Sequence, residues 1–335
     1  MTYHRVAIPS LKANLEGAEA RRELAREILA WTSSDPVLDL VASFSGAPPV
    51  KRGAVRLLDW LDDFSSEHWD FRNGHERHLA PKPELTPLQQ RQVWESANAL
   101  GLLTGYAPAD RDYDSILILG GLVRSCIART RYTYQLVSSK LRTREVAGLC
   151  GFRSLSGNEL PLAAEYRIDP LDEFQALIVG MKRAFGIRAD PALANGKLSR
   201  SHADWEVATF PASSVGQSSP VSLEVVAAPS SEPDQRRATT RDTYEWWARR
   251  QLSLQRQLRG RRILLVTNSV YVPYQDAVAI EVLGLKYGVA VETVGVPSRL
   301  KPRGAALEEF AAHNYLQEIR SAIHAFRVLF SRLGQ

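Results

Sequence analysis

Two adjacent glycines follow the apolar run Ser-Ile-Leu-Ile-Leu at residues 115–119. These are Gly120 and Gly121, and Arg124 comes shortly after them. Glycine lets backbone N–H groups approach a ligand closely, and the N-terminus of a following helix attracts an anion. Arg124, Arg129 and Arg131 offer guanidinium groups that could clamp a phosphate or carboxylate. The segment therefore predicts an anion site, and the alternative is a tight turn between a strand and a helix.

A second polar turn follows the run Ile-Leu-Leu-Val, which has the character of a buried strand. Thr267, Asn268 and Ser269 come directly after that run. Hydroxyl and amide groups at the carboxyl end of a strand are well placed to hydrogen-bond a ligand. Tyr271 adds a flat ring and a hydroxyl group. We expect these residues to orient the ligand, and the alternative is a turn with an N-capping serine or asparagine.

Residues 68–78 are rich in histidine and charged side chains. His75 and His78, together with Asp70 or Glu76, have the chemistry of a zinc site. Their spacing matches neither the H-E-x-x-H motif nor a zinc finger. We therefore predict no metal and interpret the segment as a polar loop that covers the ligand site.

The chain has two cysteines, Cys126 and Cys150, too few for a four-thiolate zinc site or a disulfide framework. Cys150 has no histidine near it in the sequence, so we predict a buried structural cysteine rather than a nucleophile. No apolar run reaches the length of a membrane span, and the N-terminus lacks a signal pattern. These features predict a soluble, cytoplasmic protein with no membrane partner.

Five short apolar segments alternate with helical patterns in the C-terminal two thirds of the chain. They are residues 115–119, 146–151, 221–228, 262–267 and 290–296. Such alternation predicts an α/β domain with a mostly parallel sheet of about five strands and helices on both faces. Ligands of such sheets bind outside the carboxyl ends of the strands. The two turns described above are therefore expected at one edge of the sheet.

The chain divides into three parts by pattern. Residues 1–112 show helical periodicity and predict an all-helical domain, 113–300 form the α/β domain, and 301–335 form a C-terminal helix that packs back on the domains. Residues 187–220 are rich in Ala, Ser, Asn and Pro and are expected to form an irregular insertion. The helical domain is expected to cover the strand ends, with the ligand in the cleft between the domains.

Two helix starts can be predicted from capping residues. Thr86 precedes Pro87, which is the pattern of an N-cap followed by a proline in the first turn. Asp169 precedes Pro170 in the same way and is predicted to cap a helix that ends near Phe185. Glu173 lies early in that second helix, where a carboxylate suits the helix dipole.

Two segments carry the positive charge of the chain, whose formal net charge is +5. Residues 236–262 hold nine arginines and two acidic residues, and residues 122–145 hold five arginines, one lysine and one glutamate. Such clustering favours an anionic partner, although solvated helices are the alternative. Tyr244, Trp246 and Trp247 stand among the arginines of the first segment, a mixture that suits contact with RNA.

Several of these residues belong to motifs with a familiar order. The motifs are Gly120-Gly121-Leu122, Cys150-Gly151-Phe152, the early glutamate Glu173, the pair Thr243 and Glu245 in Thr-Arg-Asp-Thr-Tyr-Glu-Trp, and the strand end Val266-Thr267-Asn268-Ser269. In order and spacing, residues 115–297 resemble the YdcF/SanA/ElyC-like family. Tyr271 stands where that family has a histidine, and Tyr274 where it has an arginine.

The resemblance implies a Rossmann-like fold and adds Gly151 and Thr243 to the ligand-binding candidates. One soluble branch of the family is associated with S-adenosylmethionine. The resemblance therefore implies a nucleotide-like or adenosyl-bearing ligand, and group transfer rather than hydrolysis. Because the family histidine is replaced, Glu245, Tyr271 and Glu173 are the candidates for proton transfer.

Three functions follow from these observations. The first is an enzyme that binds the adenosyl-bearing or nucleotide-like ligand. The second is an RNA-facing protein, such as an aminoacyl transferase that takes its acyl group from a charged tRNA and contacts it through residues 236–262. The third is a ligand sensor without catalytic activity, since the family histidine is absent.

Overall fold

The computed structural model describes most of the chain. The described residues are 3–11, 17–49, 53–71, 83–104, 107–139, 141–196, 199–213, 220–297 and 310–334. They belong to two compact units, each built from more than one stretch of chain. The helical unit comprises Met1–Tyr106, Ser269–Glu281 and Glu309–Gln335, and the α/β unit comprises Ala107–Asn268 and Val282–Glu308.

The described residues form ten α-helices and seven strands. The helices are α1 (Ala18–Thr32), α2 (Asp35–Ser43), α3 (Ala54–Trp69), α4 (Pro87–Ala99), α5 (Val123–Ser138), α6 (Leu160–Tyr166), α7 (Glu173–Phe185), α8 (Thr240–Ser253), α9 (Val272–Ala279) and α10 (Ala312–Leu333). The strands are β1 (Ser115–Leu119), β2 (Glu145–Cys150), β3 (Ala192–Asn195), β4 (Glu206–Ser213), β5 (Val221–Ala227), β6 (Arg262–Asn268) and β7 (Ala290–Val296). Two short 3-10 turns, Gly157–Glu159 and Ser269–Tyr271, and a π-helix, Ile280–Leu285, complete the regular structure.

The C-terminal helix α10 is central to the helical unit. Trp31 of α1 and Phe326 of α10 are both fully buried, and their ring centroids lie 5.0 Å apart. The same helix packs against α3, α4 and α9. None of the helices in the described ranges has both the length and the apolar character needed to cross a membrane.

Helix α4 begins where the sequence predicts. The Thr86 hydroxyl accepts a hydrogen bond from the Gln89 backbone N–H at 3.2 Å, and the Gln89 side-chain oxygen accepts from the Thr86 N–H at 3.0 Å. This reciprocal capping box satisfies two N–H groups that have no partner inside the helix. Pro87 occupies the first turn, so the predicted helix start is confirmed.

The sheet of the α/β unit is mostly parallel, as predicted. Its strand order is β3-β4-β5-β2-β1-β6-β7. The five neighbouring strands β5-β2-β1-β6-β7 pair in parallel. Strand β4 pairs antiparallel with β5, and β3 pairs antiparallel with β4. The parallel part has the strand order of a Rossmann-like mononucleotide-binding fold.

The two antiparallel strands correct the prediction for residues 187–220. The sequence predicts an irregular insertion there, but the segment contains β3 and β4. Val207, Ala208 and Phe210 are buried, and β4 extends the sheet at the outer edge of β5. The small and polar residues around β4 mask this short apolar pattern in the sequence.

Helices cover both faces of the sheet, as predicted. Val146 of β2 lies in the hydrophobic cluster that contains Cys126 of α5 and Leu177 of α7. The preceding residue, Glu145, accepts a hydrogen bond at 3.0 Å from Gln251 of α8. Successive side chains of a strand point to opposite faces. Helices α5 and α7 therefore cover one face, and α8 covers the other.

Helix α7 begins later than the sequence predicts. Its N-cap is Asp172, whose carboxylate accepts a hydrogen bond from the Gln175 N–H at 2.8 Å. The prediction that Asp169 caps this helix is therefore wrong by three residues. The correction matters for the site because it makes Glu173 the first residue of the helix.

The structure also divides the chain differently from the pattern-based boundaries. The stretch Ser269–Glu281 lies inside the predicted domain 113–300, but in the structure it belongs to the helical unit. The reason is α9, which packs against α10. The sequence pattern does not reveal this change of unit at Asn268, because β6 continues directly into a helical turn.

Candidate functional site at the strand ends

The sheet has a switch point between β1 and β6. From β1 the chain continues to the neighbouring strand β2, and from β5 it returns to the opposite side of β1 to form β6. The strands that follow β1 in the chain are therefore added first on one side of it and then on the other. A crevice that can hold a ligand opens at the carboxyl ends of the strands at such a point.

Arg129 joins the ends of β1 and β6. Its side chain is buried, with the residue 1% exposed. The guanidinium donates to the carbonyl oxygen of Leu119 at 2.6 Å, to that of Gly120, and to Oδ1 of Asn268 at 3.1 Å. Asn268 in turn donates from Nδ2 to the Ser125 hydroxyl at 3.0 Å. The strand ends and helix α5 are thus held by one buried guanidinium.

Arg153 gathers two buried glutamates after β2. Its Nε donates to Glu173 at 3.0 Å, its Nη1 donates to Glu159 at 2.8 Å, and its Nη2 donates to the Gly121 carbonyl at 2.8 Å. Glu159 and Glu173 are 3% and 6% exposed, so both carboxylates are withdrawn from water. Arg129, Arg153, Glu159, Glu173 and Asn268 are called the strand-end cluster below.

The glycines of the first turn make room for this cluster. A Cβ atom at Gly120 would overlap the Glu173 carboxylate and would lie 2.9 Å from Cβ of Cys150. At Gly121 a Cβ atom would lie 3.3 Å from the Arg129 guanidinium. Gly120 is thus needed for the close approach of Glu173, as expected for a glycine at a strand end.

The two glutamates differ in acidity although both contact Arg153. Burial raises the pKa of Glu173 above its ordinary value, and the positive charge of Arg153 offsets only part of that effect. Burial also acts to raise the pKa of Glu159, but hydrogen bonds and charge from Arg153, with hydrogen bonds from Ser156, lower it to about 2. A neighbouring pair with opposite shifts is the pattern of a group that can exchange a proton beside one that stays ionised.

Glu159 occupies the position where the sequence predicts an external anion. Its Oε1 accepts a hydrogen bond at 2.9 Å from the N–H of Val123, the first residue of α5. A carboxylate is favoured there by the helix dipole and by the N–H groups without partners. The chain thus supplies its own anion at the helix N-terminus next to Gly121, and Arg124 is only half-buried beside it.

Three further ligand-binding candidates lie close to strand or helix ends. Gly151 packs closely, since a Cβ atom there would lie 2.9 Å from Cβ of Ala238. The Thr243 hydroxyl donates to the Thr240 carbonyl at 2.9 Å within α8. The Thr267 hydroxyl is buried and has no hydrogen-bond partner among the residues that the structure describes. Their predicted ligand contacts stay predictions.

Glu245 has its contacts outside the strand-end cluster. Its carboxylate accepts hydrogen bonds from Lys286 at 2.5 Å, Tyr287 at 2.9 Å and Arg249 at 2.7 Å. Partial burial acts to raise its pKa, but these donors, led by Lys286, lower it. Lys286 and Tyr287 lie in the segment that leads into the amino end of β7, so Glu245 has the environment of an ion-paired carboxylate.

Ser269 and Tyr271 lie in the 3-10 turn after β6, which belongs to the helical unit. Both Ser269 and the neighbouring Val270 are buried. The Tyr271 ring meets the ring of Phe310 edge-on, with centroids 6.1 Å apart. The catalytic role predicted for Tyr271 therefore stays a prediction, and its observed ring contact is with an aromatic residue of its own unit.

The arginine-rich segment 236–262 is largely paired with acidic side chains. The pairs within hydrogen-bond distance are Arg236 with Asp242, Arg249 with Glu245, Arg250 with Glu224, Arg256 with Glu145, and Arg262 with Asp110. Tyr244 and Trp247 are fully buried, so neither presents a face for base stacking. Trp246 packs against Trp205, with ring centroids 5.6 Å apart. Five of the nine arginines are thus paired within the protein, and the RNA partner stays a prediction.

The predicted polar loop lies mostly outside the described residues. Residues 72–82, which include His75, Glu76 and His78, are not among them. His68 and Asp70 lie at the end of α3, and Asp70 pairs with Arg320 at 2.9 Å. Within the described ranges, no group of three or more His, Cys, Asp or Glu side chains has a metal-binding arrangement.

Arg153 and Glu159 are not among the site residues predicted from the sequence. The available signal was the capping-box pattern at residues 156–159, with Ser156 and Glu159 three residues apart. That pattern explains the turn, and Ser156 does contact Glu159 at 2.8 Å. It does not reveal that the other carboxylate oxygen reaches the start of α5, which requires the tertiary fold.

The fold and the strand-end cluster define a Rossmann-like α/β protein that carries a helical unit. Residues 15–101 match the family described as the Rv3785 N-terminal domain. The chain is 29% identical over 325 residues to uncharacterized protein Rv3785 of Mycobacterium tuberculosis (strain ATCC 25618 / H37Rv), covering 91% of this chain and 88% of that protein. It is equally similar to uncharacterized protein Mb3814 of Mycobacterium bovis (strain ATCC BAA-935 / AF2122/97), with the same coverage. No solved structure matches the chain significantly.

Proposed function

We propose that the α/β unit binds a nucleotide-like ligand at the carboxyl ends of β1, β2 and β6 and transfers a group from it. An adenosyl compound such as S-adenosylmethionine is the first candidate for the ligand. The observation that carries this proposal is the strand-end cluster, because it lies at the switch point where Rossmann-like sheets bind their ligands. The glycine turns after β1 and β2 also support kinship with the YdcF-like proteins.

The composition of the strand-end cluster supports a functional role. Burying ionised groups is costly, and apolar residues of similar volume often stabilise a fold as well or better. Two glutamates and two arginines are nevertheless gathered behind one glycine turn. Carboxyl groups with shifted pKa values in a cleft are characteristic of sites that bind or react.

Four members of the strand-end cluster have a place in the proposed reaction. The ligand's anionic group takes the place of Glu159 at the N-terminus of α5, next to Gly121 and Arg124. Arg129 and Asn268 fix the crevice between β1 and β6. Glu173, whose pKa is raised, takes the proton of the acceptor as the acceptor atom bonds to the transferred group, while the leaving group keeps the bonding electron pair.

Calorimetric titration tests the binding part of this proposal. S-adenosylmethionine, S-adenosylhomocysteine and ATP are titrated into the whole chain and into its Glu159→Gln variant. Because the variant removes a competing anion, the affinity for ATP is expected to rise about tenfold, the effect of roughly 1.4 kcal/mol. Glu165→Gln is the matched control, since Glu165 is an exposed glutamate of the neighbouring helix α6.

The outcomes separate clearly. Absence of heat with all three compounds contradicts the proposed function. Binding that is the same in wild type and in Glu159→Gln contradicts the assigned position of the anionic group. Once a ligand binds, Glu173→Gln is expected to retain binding and lose turnover, because an amide cannot accept the proton.

A further inference from the structure

The outer side of helix α7 carries a cavity. Its volume is about 760 Å³, and it lies between α7, the turn that follows it and strand β3. This volume is within the range of roughly 300–1,000 Å³ that is typical of small-molecule sites. The strand-end cluster does not contribute to its walls, so the cavity needs a different occupant from the proposed nucleotide-like ligand.

The floor of the cavity is apolar. Phe174 and Ile178 of α7 line it, and Val179, Ile187 and Leu193 extend the same surface. Leu193 is 56% exposed although it is an aliphatic residue of a strand. Apolar surface that is concave and open to water is a common property of ligand-binding grooves.

The rim of the cavity is cationic. Arg167, Lys182, Arg183, Arg188 and Arg200 line it together with one acidic residue, Asp190. This excess of positive charge beside an apolar floor complements a molecule that has an apolar body and an anionic end.

Three of these cations already have partners. Lys182 pairs with Asp190 at 2.6 Å, Arg200 pairs with Asp172, and the Arg183 guanidinium lies 4.2 Å from the centroid of the Tyr166 ring. These contacts hold the rim in place. They also leave the rim with more positive charge than its own acidic residue neutralises.

Arg167 and Arg188 differ from the other three. Both are exposed, and neither side chain has a hydrogen bond, ion pair or ring contact among the described residues. Arg167 is also the C-cap of α6, with a φ of 55°. Glycine or asparagine is preferred in that left-handed conformation, so local backbone preference does not account for an arginine there.

We propose that this cavity binds a small amphipathic organic anion. The apolar chain of the ligand lies on Phe174, Ile178 and Ile187, and its carboxylate or phosphate is bound by Arg167 and Arg188. Guanidinium groups suit both head groups, because their paired N–H donors match two oxygens of either anion. The proposal adds a binding site to the chain and does not depend on the function proposed for the strand-end cluster.

Three probes with the same ten-carbon chain test the proposal by calorimetry on the whole chain. Decanoate carries a carboxylate, decyl phosphate carries a phosphate, and decanol carries no charge. At least one of the two anions is expected to bind at least about tenfold more tightly than decanol, the effect of a charge-assisted hydrogen bond. The anion that binds more tightly identifies the head group.

Variants then locate the site. Arg167→Gln combined with Arg188→Gln is expected to bring the affinity for the anion down to that for decanol, and the exposure of both residues lets the variant fold. Leu193→Asn is expected to weaken binding of all three probes. Arg22→Gln, at an exposed arginine of α1, is the matched control and should leave binding unchanged. The proposal is overturned if no probe gives heat, if decanol binds as tightly as both anions, or if the double variant binds like the wild type.

Discussion

The Arg129 guanidinium and the Asn268 side-chain oxygen are hydrogen-bonded at 3.1 Å between the carboxyl ends of β1 and β6. The same guanidinium donates to the Leu119 and Gly120 carbonyls, so one side chain fixes the geometry of the switch point. A buried charge in this position is stabilising only while its partners stay in place. Stability and the shape of the crevice are therefore coupled through Arg129.

Replacing Arg129 by methionine is expected to lower the free energy of unfolding by about 3 kcal/mol, because buried carbonyl groups and Asn268 lose their donor. Urea unfolding followed by circular dichroism measures this change. Arg131→Met is the matched control on the same helix, because Arg131 is exposed. Equal stability of the two variants would show that the buried guanidinium has no structural role.

Gly120→Ala is expected to cost about 1–3 kcal/mol, since the new methyl group overlaps the Glu173 carboxylate and crowds Cys150. Gly121→Ala should cost less, because the nearest atom to its methyl group is 3.3 Å away. Combining Gly120→Ala with Glu173→Ala removes the main overlap. The loss of stability in the double variant should therefore be smaller than the sum of the losses in the two single variants. A loss equal to that sum would argue against the contact.

The pH dependence of stability is expected to report Glu173. Burial raises its pKa above the ordinary value of 4.5 in the folded protein. A carboxyl group of this kind stabilises the fold below its ordinary pKa, and the contribution is lost as pH rises through the raised pKa. Glu173→Gln cannot ionise, so its Tm should fall less than that of the wild type as pH rises from about 5.

Glu159→Gln serves as the opposite case. The pKa of Glu159 is lowered to about 2, so its contribution is present above the ordinary value of 4.5 and is lost only as pH falls toward 2. This variant should be less stable than the wild type by the same amount throughout the neutral range.

For Glu173→Gln, a dependence of stability on pH that equals that of the wild type would contradict the assignment of a raised pKa to Glu173.

The two thiols are expected to be inert in the native protein. Cys126 and Cys150 are both buried, and burial raises the pKa of both thiols, that of Cys126 to about 12. Because the thiolate is the reactive form, a disulfide reagent should react with neither at neutral pH until urea unfolds the chain. Fast reaction of Cys150 in the native protein, identified by mass spectrometry of the labelled peptide, would refute the prediction that this cysteine is structural.

The sequence predicts the parallel strands and the turns after them well, because continuous apolar runs that end in glycine or polar residues are local signals. Gly120, Glu173 and Asn268 are brought to one edge of the sheet in this way. The partners of these residues are harder to predict. Arg153 and Glu159 reach the start of α5 only after β1 and β2 have paired, and a contact of that kind leaves no periodic pattern.

Glu245 and the aromatic residues of α8 show a second limit of prediction from the sequence. A sequence with arginines beside Tyr244 and Trp247 has the composition of an RNA-binding surface, yet composition does not specify which side of a helix faces inward. The acidic partners of the arginines lie on distant segments, such as Glu145 and Glu224. Burial and ion pairing of these side chains therefore cannot be predicted from composition, because both depend on the assembled fold.

The interleaved course of the chain limits how the N-terminal segment can be inherited or engineered. Residues 15–101, which match the family described above, contain α1 to α4. Helix α10, whose Phe326 packs on Trp31, lies more than two hundred residues further along the chain. A gene fragment that ends at residue 101 would lack α10, so Trp31 would lose its contact with Phe326 and be exposed to water. Transfer of the helical unit to another protein by fusion of a single gene segment is therefore disfavoured. We expect the helical unit to be inherited together with the whole chain.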